Sequence, residues 1–112
     1  MIYKHFEVVV VPFPFTDRQS LKRRPALVLS QDVSFGELIG HSVLAMITSQ
    51  KNSPWPLDVP VKDREISGLP APSVVRMKIF TLDNRLILKK IGCLSPDDQE
   101  QVRISLSQLL LI

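Results

Sequence analysis

The sequence predicts a small, mainly β domain: a strongly curved sheet or barrel carrying a C-terminal helix. Three observations predict it. Short apolar, often β-branched runs recur along the chain (FEVVVV, PALVLS, SVLAMITS, SVVRMKIFTL), and prolines and glycines separate them. Only the last segment, from Ser95 onward, opens with the residues that start a helix. Several short strands followed by one helix can bury their apolar faces only if the sheet curls.

Residues 6–11, FEVVVV, show no polar alternation and are expected as a first strand buried on both faces or closing a small barrel. Pro12 and Pro14 should stop it at an edge or a bend, leaving Phe13 and Phe15 to pack or stack before the polar loop TDRQSLK. PALVLS is the second strand, and Gly36 and Gly40 break QDVSFGELIGH into a turn too short for a helix. SVLAMITS is the third strand, ending on two hydroxyls, Thr48 and Ser49. NSPWP is a turn, LDVPV a short edge strand because of its proline, and KDREISGLPAP a long polar loop. In SVVRMKIFTL the period of two places Val74, Arg76 and Lys78 on one face and Val75, Met77 and Ile79 on the other, so both cations project the same way. Ser95 is a capping residue, Pro96 suits the first turn, and Asp97 and Asp98 suit the positive end of the helix dipole. The helix should run to the terminus with Val102, Leu106, Leu109 and Leu110 as its apolar stripe, although Val102, Ile104 and Leu106 also alternate as a strand would.

At 112 residues the chain is expected as one domain, 1–112, with a core that needs no disulfide or metal. With 45% hydrophobic and 22% charged residues it is not a disordered chain. Cys93 is a single cysteine, and His5 and His41 lie far apart with no cysteine partner, so no metal and no cofactor is expected. The apolar run near the N-terminus is too short for a signal peptide, and nothing approaches the roughly eighteen apolar residues of a membrane span. A soluble, cytoplasmic protein without a membrane partner is expected. The net charge of +3 permits nucleic acid as a partner without demanding it, and the charge is clustered: Lys22, Arg23 and Arg24 in one place, Arg76 and Lys78 in a second.

The stretch KRRPALVLS, residues 22–30, sets cations against a proline at the mouth of a core strand. Pro25 biases Arg24 toward an extended backbone, so its guanidinium is delivered at the strand's start and suits holding a phosphate. A solvated basic turn is the competing account of the same residues.

The pieces VVVVPFPFTD, KRRPALVLS, ITSQ, GLPAPSVVR, FTLDNRLI and IGCLS, in this order, resemble the PemK/MazF family of bacterial toxins of type II toxin-antitoxin systems, from Glu7 to Ser95. The resemblance implies an SH3-like β-barrel (PemK/MazF/CcdB-like) with a C-terminal helix. It also implies a homodimer, a metal-independent, sequence-specific endoribonuclease acting on single-stranded RNA, and silencing by a cognate antitoxin. The family's catalytic arginine falls on Arg24 and its catalytic threonine on Thr48. The chemistry suits those types: RNA carries its own nucleophile, so a charged fork and a short hydroxyl on the phosphate can align and neutralise it, leaving a 2′,3′-cyclic phosphate and a 5′-hydroxyl. Thr16 and Asp17 begin a loop that in the family lies over the RNA. Lys22, Arg23, Arg76 and Lys78 are candidate phosphate contacts, and Ser49 and Gln50 candidate contacts to base edges.

The chain departs from the family's pattern at two places. Phe6-Glu7 stands where members commonly have Gly-Asp, and Lys78 stands where some members carry a catalytic aspartate. The general base is therefore open among Glu7, Asp17, His5 and His41. Ser73 either bonds within its own loop, the favoured reading, or reaches a ligand. Trp55, between Pro54 and Pro56, either packs on its own barrel or offers a surface to a base or an antitoxin side chain. Two further functions share these features: a non-catalytic toxin of a protein such as DNA gyrase, and a barrel that binds RNA without cutting it.

Overall fold

The computed structural model describes residues 2–13 and 22–112, so Thr16, Asp17, Phe15 and most of the loop TDRQSLK lie outside the described residues. Six antiparallel strands form one sheet: β1 Glu7–Phe13, β2 Lys22–Val28, β3 His41–Ser49, β4 Val59–Pro60, β5 Ser73–Asp83 and β6 Lys89–Cys93, in the order β4-β5-β3-β2-β1-β6. Among the described residues three α-helical segments accompany them: α1 Glu37–Ile39, α2 Arg64–Ser67 and α3 Pro96–Leu110.

The apolar runs lack polar alternation because both faces of the sheet are covered. Val8, Leu27, Ala45, Ile47 and Val75 face one core with Leu69, Leu94 and Val102 of α3, while Val9, Val11, Ala26, Val28, Leu44 and Leu82 face a second core with Ile87. The sheet curls far enough that the chain after one edge strand meets the other edge. The C-terminal end of α2 lies against β6 so closely that a methyl on Gly68 would strike the Ile91 carbonyl, and one on Gly92 would strike the backbone of Ile66 and Ser67. Gly68 also holds a left-handed φ of 74° as the C-cap of α2.

Several elements differ from expectation for identifiable reasons. β1 runs through Pro12 to Phe13, and β2 starts at Lys22 with Pro25 inside it. Both prolines are tolerated because pairing is one-sided there: β6 leaves β1 at Val10, and β3 joins β2 only from Ala26 onward. Residues 31–40 form a π-turn, Asp32–Gly36, leading into α1, where Gly40 takes φ 74°. The expected polar loop contains α2, whose first turn is capped by the Asp63 carboxylate accepting the Ile66 N–H. β6, with two lysines and a glycine, carries no strand signal of its own and is made by pairing with β1.

The terminal helix starts as expected, with Ser95 Oγ accepting the Asp98 N–H at 3.2 Å. Its buried stripe is Asp98, Val102 and Ser105 rather than one reaching Leu109 and Leu110, which are exposed. Asp98 is 1% exposed, and its carboxylate accepts the backbone N–H groups of Lys62 and Asp63 at 3.1 Å each, tying the chain after β4 to the start of α3. Among the described residues no helix is long and apolar enough to cross a membrane.

Asp98→Ala strands two backbone donors, and Gly92→Ala forces β6 from α2. Urea unfolding should show each variant less stable than wild type by about 2–3 kcal/mol, with Asp98→Ser losing less than Asp98→Ala.

Candidate nucleic-acid interface

The second core does not extend the full length of its sheet face. Along β1 that face reads Val9, Val11, Phe13; along β2 Val28, Ala26, Arg24; along β3 Leu44, Met46, Thr48; and along β5 Leu82, Phe80, Lys78, Arg76. At one end it is packed. At the other it becomes a cleft of about 210 Å³ lined by Phe13, Arg24, Met46, Thr48, Asn52, Trp55, Arg76 and Lys78.

Two backbone irregularities shape this end. Pro25 has no N–H to give, and β2 and β3 part beyond the Ala26–Met46 pair, so Arg24 and Thr48 stand on either side of the split. A second cleft, of about 370 Å³, opens through the split toward Arg23, Ser49, Leu69, Ser73 and Lys89, and Arg24 and Thr48 line both clefts. On β5 the register slips: Ala45 pairs with Ile79 but Ile47 with Val75, so Arg76, Met77 and Lys78 oppose Met46 alone. Such a bulge re-aims side chains, and here it carries Arg76 and Lys78 along the cleft wall.

Arg24 is exposed, with its guanidinium carbon 5.7 Å from the centre of the Phe13 ring. No ion pair engages it among the described residues. Thr48 Oγ1 accepts a hydrogen bond from Asn52 Nδ2 at 2.6 Å. That bond uses an acceptor site of the hydroxyl and leaves its proton for donation. Asn52 did not emerge from the sequence; the one signal was its place four residues beyond Thr48, within reach around the turn.

Arg76 and Lys78 share the cleft wall as the alternation requires, but they differ in state. Arg76 is buried and committed. Its Nε and Nη2 reach the two carboxylate oxygens of Asp58 at 3.2 and 3.0 Å, Nη2 also donates to the Ser53 carbonyl at 2.8 Å, and its guanidinium carbon lies 5.0 Å from the centre of the Trp55 ring. Lys78 is exposed and stays open to a ligand. The single basic surface expected of this strand thus has, among the described residues, one cation without an ion pair and one that fastens a turn.

The other candidates are dispersed. Arg23 and Ser49 open on the second cleft, Gln50 lines a neighbouring one with Lys51 and Pro72, and Lys22 is exposed at the start of β2 opposite Phe13. Ser73 Oγ donates to the Ala71 carbonyl, within its loop as expected. Of the candidate bases, Glu7 pairs with Lys90 at 2.8 Å, His5 packs edge-on against Phe6, and His41 bonds the Ile39 carbonyl. None of these three lines either cleft, and no carboxylate or imidazole does among the described residues. Nor does any group of three or more His, Cys, Asp or Glu side chains gather as metal ligands do among those residues.

Burial alone would raise the Asp58 carboxyl pKa, but the hydrogen bonds from Arg76 and from the Trp55 N–H, with the guanidinium charge, hold it below its ordinary value of 3.8. A folded pKa below the unfolded one means that the pair's stabilisation is complete above the unfolded value and is lost as pH falls through the folded one. Thermal melts across the acid range should therefore show wild type losing stability below about pH 4 more steeply than Asp58→Asn. At neutral pH Asp58→Ala, which leaves Arg76 buried without its anion, should be less stable by about 3 kcal/mol.

Comparison with known proteins bears on the family and the fold. The family model described as PemK-like, MazF-like toxin of type II toxin-antitoxin system matches residues 4–110. No curated protein sequence matches the chain. Among solved structures, MazF from Deinococcus radiodurans superposes with a TM-score of 0.76 at 23% identity, covering 100% of this chain and 99% of that one. A MazE–MazF complex from the same organism gives 0.74 at 22% identity, covering 98% and 96%. An endoribonuclease in complex with its cognate antitoxin, from a mycobacterial species, gives 0.77 at 15% identity, covering 99% and 95%. At these identities the likenesses show a common fold, the curled sheet with its C-terminal helix. The family model reaches further, over nearly the whole sequence, and the chain belongs to the PemK-like, MazF-like toxins of type II toxin-antitoxin systems.

Proposed function

We propose that this toxin is an endoribonuclease that cuts single-stranded RNA at the split between β2 and β3. The observation that carries this is the placement of Arg24 and Thr48 on either side of the split, lining both clefts at once. A strand of RNA laid from one cleft to the other would bring a phosphate between them.

There the 2′-hydroxyl oxygen attacks the adjacent phosphorus, its proton passing to solvent. The bond to the 5′-oxygen breaks as that oxygen takes up a proton, leaving a 2′,3′-cyclic phosphate and a 5′-hydroxyl. Arg24 supplies a permanent charge and forked donors to the phosphoryl oxygens as charge builds on them. Thr48, its oxygen occupied by Asn52, donates its proton to a phosphoryl oxygen. Lys78 and Arg23 hold neighbouring phosphates, and Ser49 and Gln50 lie along the path of the flanking bases. The endoribonuclease from a mycobacterial species shares the fold, which supports the assignment.

The partners follow from the same surface. A groove lined by Arg23, Arg24, Lys78 and Lys89 is silenced by an acidic, partly disordered antitoxin segment whose apolar side chains anchor beside Leu69, Pro70 and Ile91. Solved relatives bind antitoxins, and the toxin acts as a homodimer in the cytoplasm, as the family resemblance implies.

Purified protein in excess EDTA should cut mixed-sequence RNA at discrete positions with 5′-hydroxyl ends. Arg24→Ala should lower kcat/KM by at least about a hundredfold. Asn52→Ala should lower kcat about tenfold with KM little changed, since it frees the Thr48 rotor without removing a phosphate contact. RNA bound yet left intact by wild type would instead identify a binding barrel, and no interaction with RNA at all would turn attention to a protein target.

A further inference from the structure

Trp55 is the one tryptophan of the chain, 44% exposed, and it lines the cleft that holds Arg24 and Thr48. A large apolar ring left this open does little for the core. Yet it is held more firmly than an exposed turn residue requires. Its backbone N–H donates to Asp58 Oδ2 at 2.9 Å, and one ring face is covered by the Arg76 guanidinium. That guanidinium is gripped by the same Asp58 carboxylate and by the Ser53 carbonyl, so both ends of the turn from Ser53 to Asp58 are fastened to a single buried ion pair. Pro54 and Pro56 on either side of the tryptophan further limit its backbone.

We propose that Trp55 is a stacking platform for an unpaired nucleobase next to the phosphate held at Arg24 and Thr48. The proposal rests on the RNA reading above and extends it from phosphate to base. A cation beneath an indole draws on one π-face and leaves the other for a flat, polarisable ligand. On the far side of the same cleft Phe13 lies beneath the Arg24 guanidinium in a matching pair. The cleft therefore has cations along its wall and an aromatic ring at each flank, the pattern a single strand needs when its phosphates run inward and its bases turn aside. In this scheme Arg76 acts as a positioning residue: it reaches the RNA through Trp55, which explains why a guanidinium on the phosphate-facing wall is spent on Asp58.

The test uses the full chain and a mixed-sequence 2′-O-methyl oligoribonucleotide, which lacks the nucleophile and stays intact. The expected result has three parts. Tryptophan emission falls on titration with the oligonucleotide. Trp55→Ala weakens binding about tenfold to a hundredfold by anisotropy, and Trp55→Phe weakens it less. An abasic oligonucleotide of the same length binds wild type and Trp55→Ala alike. Binding with unchanged emission and unchanged affinity in the variants overturns the platform while leaving the RNA reading intact. Equal weakening of RNA and abasic strand in Trp55→Ala assigns the ring a structural role and overturns it too. Absence of any RNA binding or cleavage by wild type overturns the RNA reading itself, and the platform with it. Should Trp55→Ala fail to fold, the emission change in wild type and the affinity of Trp55→Phe still decide.

Discussion

A sheet whose strands are apolar on both sides must be covered on both sides, and the rest of this structure follows from how that covering is done. Val102 of the terminal helix, with Leu94 just before it and Val59, Val61 and Leu69, closes one face. The other is closed only part way, by Tyr3, Phe80, Leu86 and Ile87. Where that second cover ends, the strands keep their alternation but change chemistry, from valine and leucine to Arg24, Thr48 and Lys78. The site is thus the uncovered end of a core layer, and its side chains inherit the rigidity of strands whose other ends are buried.

Two defects in the sheet shape that end into two clefts that share Arg24 and Thr48. Pro25 ends the ladder between β2 and β3 by lacking a donor, and the slip on β5 puts Arg76, Met77 and Lys78 opposite Met46 alone. The first opens a passage between two clefts, and the second sets the wall of one of them. Either would be a flaw in a sheet that served only stability. The Arg76–Asp58 pair works at the same spot: it consumes a cation that alternation had aimed at the cleft and uses it to hold the Trp55 turn in place. Closure on the opposite side depends on small size instead, with Gly92 and Gly68 allowing α2 to lie directly on β6.

How much of this was readable in the residues depends on the range over which the signal acts. The apolar strand runs, the Ser95 cap and the extended Arg24 before Pro25 depend on near neighbours, and each appears in the structure, although β1 extends through Pro12 and β2 begins three residues before Pro25. β6 does not: Lys89, Lys90 and Gly92 carry no strand preference, and the segment is extended because β1 offers it a ladder. Asp98 looked like a helix-dipole residue and is instead a buried acceptor for the backbone of Lys62 and Asp63, a role created by packing between distant segments.

By itself, therefore, the sequence determined a mainly β domain with a terminal helix, an arginine poised at a strand's start and a hydroxyl at the end of the next strand, because steric preference, side-chain alternation and capping all act within a few residues. Tertiary structure alone decided that Arg24 and Thr48 face each other across a split, that Asn52 holds Thr48, and that Arg76 is bound to Asp58 while Lys78 remains open. Those outcomes depend on register and on a bulge. Both are settled by which strands pair and how both faces of the sheet are covered, and no local pattern of residues encodes that choice.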